Sequence, residues 1–239
     1  MRIVRYLYRM IDLYSYYGFN FFRLKKRLNK SGINLSRYRL YDKKWLHNLK
    51  ISTVIDIGAN IGEFTLIFND LFNRPKIHAF EPIPDCFNKL ENTTKKYDNI
   101  KLYNIGLGSE KGELILNKSD HNPASSFREM AELHKNNYPH SSKSKKISVK
   151  VLPIDDIFKS IVLEKNIFIK IDVQGFEDEV IKGGINTFSQ AKVIIIESSF
   201  QKLYEDEPLF DGIYSLLKPL GFNFVGCLKQ SSYNKDESF

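Results

Sequence analysis

At 239 residues, 42% hydrophobic and 27% charged, the chain has the composition of a soluble globular protein with room for one large domain. No apolar run approaches the ~18 residues that span a bilayer. Its two cysteines, Cys86 and Cys227, lie far apart without metal-ligand spacing, which excludes a disulfide scaffold and points to a reducing compartment. The net charge of +8 favours anionic partners or serves solubility.

Residues 1–50 read as an N-terminal helical extension. Tyr6, Tyr8, Tyr14, Tyr16, Tyr17, Phe19, Phe21 and Phe22 crowd together with Arg2, Arg5 and Arg9, and Arg23, Lys25, Lys26 and Arg27 follow as a basic cluster. Such a segment packs on the main domain or a second subunit, or makes a peripheral contact with an anionic membrane through residues 1–30. Arg9 and Asp12 interrupt its apolar stretch and no small-residue cleavage site follows, so it does not read as a signal peptide. A cytoplasmic location is expected, with the inner membrane face as the site of any peripheral contact. Gly18 is expected to divide the extension into two helices, and Asp42 to cap a further helix through about Leu49.

Residues 51–239 form the main domain. Apolar strand candidates lie at 53–58, 76–81, 100–105, 167–172, 193–198 and 222–227, and helical candidates at 63–72, 84–96, 175–188 and 208–218. Alternating strands and helices predict an α/β fold, a mostly parallel sheet with helices on both faces, whose ligands bind beyond the carboxyl ends of the strands. Short strands at 111–117 and 147–152 flank a polar stretch, residues 117–146, read as a substrate lid that is partly helical around 127–136.

Two segments carry chemistry. Val54 to Glu63 reads Val-Ile-Asp-Ile-Gly-Ala-Asn-Ile-Gly-Glu, a buried strand turning through Gly58 and Gly62 into a helix. Nineteen residues after Gly62, Glu81 ends the next strand, where a carboxylate suits the two hydroxyls of a ribose. A pyrophosphate would favour glycine where Asn60 stands, so the loop suits S-adenosylmethionine, which has no phosphate, better than a dinucleotide. The bland alternative is an ordinary strand–helix turn capped by Asn60. The second segment, Ile167 to Gly184, places Lys170 and Asp172 on one side of a strand, as a structural ion pair or as the floor of an active site.

Several motifs occur in order: Asp-Ile-Gly-Ala-Asn-Ile-Gly-Glu (56–63), Ala-Phe-Glu-Pro (79–82), Asn-Ile-Gly-Leu-Gly (104–108), Ser-Ser-Phe (125–127), Leu-Pro-Ile-Asp-Asp (152–156), Ile-Lys-Ile-Asp-Val-Gln-Gly-Phe-Glu (169–177), Val-Ile-Lys-Gly-Gly (180–184) and Ile-Ile-Glu (195–197). Together they resemble the FkbM-type family of S-adenosylmethionine-dependent methyltransferases over about residues 50–200. The resemblance implies a seven-stranded class I methyltransferase (Rossmann-like) fold and methylation of a hydroxyl on a sugar, glycan or related metabolite. It implies Asp56, Gly58, Asn60 and Gly62 as the cofactor loop, Glu81 as the ribose acid, Gly106 and Leu107 against the adenine, and Ser125 and Ser126 facing the transfer site. Those serines equally suit the cap of a helix beginning at Phe127. The family usually has glutamate where this chain has Gln174.

An alcohol is a weak nucleophile, so a base is expected. Asp172, beside Lys170, is the first candidate and His121 the second. No metal ligand is assigned, although Asp172 and Glu197 at the ends of neighbouring strands offer a place for a divalent cation. Rival readings are an RNA 2′-O-methyltransferase and a non-catalytic adenosyl-binding module. The chain lacks the amino-methylation and Pro-Cys motifs of other nucleic-acid methyltransferases. A small-molecule, sugar or glycan acceptor is therefore the expected partner, with a homo-oligomer left open.

Overall fold

The computed structural model describes residues 13, 15–119, 125–132 and 144–230; His121, Arg2, Arg5 and Arg9 lie outside them. The extension forms α1 (Phe21–Lys30), α2 (Leu35–Tyr41) and α3 (Lys44–Asn48). Gly18, at φ +54°, opens a 3-10 turn between the helical residues 15–17 and α1, which is the division its missing Cβ suggests. Asn34 caps α2: its Oδ1 accepts from the N–H groups of Ser36 and Arg37 at 2.9 and 3.2 Å, worth about 1 kcal/mol. Asp42 does not cap the next helix as expected. It ends α2, and its carboxylate lies 2.7 Å from His47 Nε2 within α3.

The main domain continues with β1 (Thr53–Ile57), α4 (Glu63–Leu71), β2 (Lys76–Phe80), α5 (Pro84–Thr94), β3 (Ile100–Tyr103) and β4 (Gly106–Leu107). Next come β5 (Gly112–Ser119), β6 (Ser144–Leu152), α6 (Ile154–Phe158), β7 (Ile167–Ile171), α7 (Glu177–Lys182), α8 (Ile185–Ser189), β8 (Ala191–Ile196) and α9 (Phe210–Leu217). Five strands pair in parallel in the order β3-β2-β1-β7-β8, and β5 and β6 form an antiparallel hairpin to which β4 adds. The strand order reverses between β1 and β7, so their carboxyl ends lie side by side where a parallel sheet opens a ligand crevice.

Both faces of the sheet are covered, as its unbroken β-branched runs require. On one face Val54 and Phe168 pack with Leu66, Ile67 and Phe68 of α4 and with Phe21, Leu28, Leu35, Tyr38 and Tyr41 of the extension. The extension is thus part of one core, each buried side chain contributing about 1.5–3 kcal/mol. On the other face Ile55, Ile57, Ile169 and Ile171 meet Val180, Ile181, Phe188 and Ile213.

Three expectations need correction. The helix expected over 175–188 is two, α7 and α8, because the chain breaks at Gly183 and Gly184; a Cβ on Gly183 would lie 1.9 Å from the Gly108 carbonyl oxygen. Residues 222–227 are not a strand: Phe224 packs edge-on against Phe210 and Gly226 sits at φ +143°, so the main sheet has five strands among the described residues, not seven. Residues 127–131 are not helical. Asn117 and Ser126 exchange backbone hydrogen bonds, Ala131 donates to Leu203 and Glu205 to Glu129, which stitches this segment across the carboxyl end of the sheet.

Candidate active site

The loop after β1 turns over the end of β7. Gly58 sits at φ +75°, and a Cβ there would lie 1.9 Å from the Asp172 carbonyl oxygen, so the two loops touch only because residue 58 is glycine. Gly62, at φ +89°, faces α5, where a Cβ would lie 2.7 Å from Leu90 Cδ1. Asn60 takes a left-handed conformation, φ +51°, and donates its backbone N–H to Glu81 Oε2 at 2.8 Å. The Ile83 N–H binds Glu81 Oε1 at 2.9 Å. Glu81 is therefore aimed by two amides at the end of β2, and its burial pushes its pKa up to about 7 against those hydrogen bonds.

Asp56 is fully buried beneath the loop and accepts from Thr65 Oγ1 at 2.6 Å. Lys170 lies 3.3 Å from Asp56 and 3.6 Å from Asp172, and its Nζ donates to the Gly58 carbonyl at 2.8 Å. Burial opposes the lysine's charge, but the carboxylates of Asp56 and Asp172 prevail and hold its pKa above the usual lysine range. Lys170 is thereby a buried tie between β1, β7 and the glycine loop, at the floor of the cleft.

Past β7 the cluster continues. Gln174, at φ +57°, donates Nε2 to Asp172 Oδ1 at 2.7 Å and to Glu197 Oε2 at 2.8 Å, while its Oε1 accepts from the Tyr204 hydroxyl at 2.9 Å. Asp172 is held below the ordinary carboxylate range: burial raises it, and the Lys170 charge and the hydrogen bonds from Glu197 and Gln174 more than offset that. Glu197 is pushed up to about 8, first by the Asp172 charge and then by the protein packed around it, although its side chain opens on the cleft.

Glu81, Gly106, Leu107, Ser125, Ser126, Asp172, Gln174 and Glu197 all line one open cleft of 2140 Å³. Ser126 Oγ donates to the Gln174 carbonyl at 2.5 Å and accepts from the Arg128 N–H, and Ser125 Oγ accepts from the Ser119 N–H. The serines fix a turn rather than cap a helix. Close packing of Gly106 on Phe127 leaves no room for a Cβ. His121 falls outside the described residues. The sequence reading gave the extension no place here, yet Arg37, Tyr41 and Trp45 also line the cleft, Arg37 paired with Glu63. Tyr204 was likewise missed, since nothing local marks a tyrosine in a loop. Among the described residues no group of three or more His, Cys, Asp or Glu is placed to hold a metal ion.

Known proteins resemble the chain. It is 28% identical over 171 residues to 2-O-methyltransferase NoeI of Sinorhizobium fredii, covering 69% of this chain and 70% of that protein. It is 29% identical over 143 residues to hexuronic acid methyltransferase AglP of Haloferax volcanii, covering 59% of this chain but only 54% of the relative. A solved methyltransferase FkbM from Methylobacillus flagellatus KT aligns at 19% identity and TM-score 0.47, over 74% of this chain and 41% of that one. The family profile described as methyltransferase FkbM domain matches residues 56–224, which contain the glycine loop, Glu81 and the Asp172–Gln174–Glu197 cluster. The chain belongs to the FkbM family and is a methyltransferase of the S-adenosylmethionine-dependent class.

Proposed function

We propose that this protein methylates a hydroxyl oxygen of a sugar or glycan, with a uronic acid or similarly anionic sugar as the preferred acceptor. The observation that carries the cofactor half is Glu81, buried, held by two backbone amides and facing the cleft, a suitable acceptor for the paired hydroxyls of a ribose. The surroundings fit an adenosyl group: Ile83, Leu107 and Phe127 offer apolar contact beside Glu81, and glycines at 58 and 106 permit close approach. The acceptor half is supported by the 2-O-methyltransferase and hexuronic acid methyltransferase among the relatives.

When bound, S-adenosylmethionine supplies a methyl group already activated on a sulfonium. The protein's work is then alignment, exclusion of water and removal of the acceptor's proton. Lys170 and Asp56 hold the glycine loop, Glu81 orients the ribose, and Ser125 and Ser126 fix the turn that borders the cleft. Asp172 and Glu197 face the place where the acceptor hydroxyl must come. A basic, aromatic extension suits an acceptor at an anionic surface, and a peripheral membrane contact belongs to this reading.

Incubation with methyl-labelled cofactor and a panel of hexuronic acids, neutral sugars and RNA tests it. Label is expected in the sugars, most in the uronic acids. Transfer confined to RNA, or binding of S-adenosylhomocysteine without transfer to any sugar, would overturn the acceptor assignment.

A further inference from the structure

β7 and β8 are neighbours, and one residue beyond their last pairing, Ile171 with Ile196, each strand ends in a carboxylate, Asp172 and Glu197. The two are not equivalent. Asp172 is tied from below by Lys170 at 3.6 Å and through the cluster to buried Asp56. Glu197 is open to the cleft, and its carboxylate faces Asp172 across the shared amide of Gln174. A turned-over amide would set its oxygen against both carboxylates, whereas in this orientation the Tyr204 hydroxyl donates to that oxygen, and Ser126 holds the backbone carbonyl of the same residue. One NH2 group therefore gives one hydrogen to each carboxylate, which a glutamate at 174 cannot do in its charged form.

We infer that Glu197, rather than Asp172, takes the proton from the acceptor hydroxyl, and that Asp172 and Gln174 are positioning residues that orient Glu197 and set its basicity. The inference rests on the methyl-transfer reading above. In the step, the proton passes from the acceptor O–H to a Glu197 carboxylate oxygen. The acceptor oxygen bonds to the methyl carbon, and the carbon–sulfur bond breaks with its electron pair left on sulfur.

The charges around the pair support this division. Glu197 is faced by Lys170 from β7 and Asp172 just beyond it, by Glu177 from α7, by Tyr204 from the segment after β8 and by Tyr41 from α2. Asp172 and Glu177 raise its affinity for a proton and Lys170 lowers it. The Lys170 charge keeps Asp172 an anion of low basicity. A group that titrates near neutral pH is the better proton acceptor of the two. Because the carboxyls interact, their titrations belong to the pair, and removing one charge must move the other.

The decisive measurement is a carboxyl-carbon NMR titration of the ligand-free protein labelled at glutamate side chains, with the Glu197 resonance identified by its loss in Glu197→Gln. Its midpoint is expected well above the ordinary glutamate range, and Asp172→Asn is expected to lower it by about one unit or more. Gln174→Glu adds a like charge and is expected to raise it. In turnover, activity of the wild type rises with pH through the same midpoint, and the inflection moves down in Asp172→Asn. Glu197→Gln is expected to lose roughly a hundredfold or more in kcat, with S-adenosylhomocysteine affinity by calorimetry within about threefold. An ordinary midpoint, a midpoint unmoved in both neighbours' variants, or kcat of Glu197→Gln above about a tenth of wild type overturns the inference. The titration is read without substrate, so it stands or falls separately from the choice of acceptor.

Discussion

Lys170 is the residue on which the site's geometry turns. A buried ammonium is tolerated only with partners, and here it has two carboxylates and two backbone carbonyls. Replacing it with methionine keeps the stem but leaves Asp56 buried beside Asp172 without a counter-charge. Lys170→Met is expected to cost about 3–5 kcal/mol in unfolding free energy by urea titration; a loss under about 1 kcal/mol would show that solvent already screens the cluster. The glycine loop and Glu81 were legible in the sequence because their spacing is local and each residue type has one physical reason to be there. The cluster beyond was legible only in part. Asp172 stands at a strand end, but that Glu197 meets it depends on which strands are neighbours, and a single sequence does not state register. Gln174 was a departure from pattern whose meaning appears only once its amide is seen between two carboxylates.

At the scale of elements, the outer half of the sheet holds a buried histidine with no acidic partner among the described residues. His78 of β2 stacks on Tyr103 of β3, meets Phe158 of α6 edge-on at 4.9 Å, and hydrogen-bonds the Tyr103 hydroxyl through Nδ1 at 2.9 Å. Burial, helped by Lys101 and Lys76, lowers its pKa to about 4 from 6.5. Between those values the unfolded chain binds a proton that the folded protein does not, so stability is lost as pH falls from 6.5 to 4 and is fully present above 6.5. His78→Phe keeps the ring contacts and removes this term. The difference in unfolding free energy between wild type and variant is expected to shift by about 3 kcal/mol against wild type between pH 7 and pH 4, while carboxylates common to both cancel. A pH-independent difference would mean that the imidazole charges within the fold. The same scale shows what periodicity misses: Gly183 and Gly184 broke an acidic, apolar-faced helix because the chain passes against the Gly108 carbonyl, a distant contact. Residues 222–227 have strand composition, yet Phe224 packs on Phe210 of α9 instead.

Across the whole molecule, charge is divided unevenly. Residues 1–50 hold 13 lysines and arginines against 2 aspartates, and the remaining chain holds 23 against 26 acidic residues, so the entire positive excess lies in the extension. Its inward side is core, and its outward side is not: Phe19 is 99% and Phe22 68% exposed, next to exposed Arg23, Lys26 and Lys30. Aromatic rings with a basic flank are the composition that settles at an anionic lipid surface, each cation near that surface contributing about 1 kcal/mol. Deleting residues 1–30 would test this badly, because it also removes Phe21 and Leu28 from the core. The suitable variant combines Phe19→Ser with Arg23→Glu, Lys26→Glu and Lys30→Glu, none of which is buried. Partitioning onto vesicles of mixed anionic and zwitterionic lipid is expected to fall by roughly a hundredfold, as the loss of three surface cations implies, and wild-type binding is expected to weaken in high salt. Transfer to a soluble sugar should be unchanged, since these side chains lie away from the cleft. Equal partitioning of wild type and variant would leave the basic face a solubility device and the acceptor a soluble molecule.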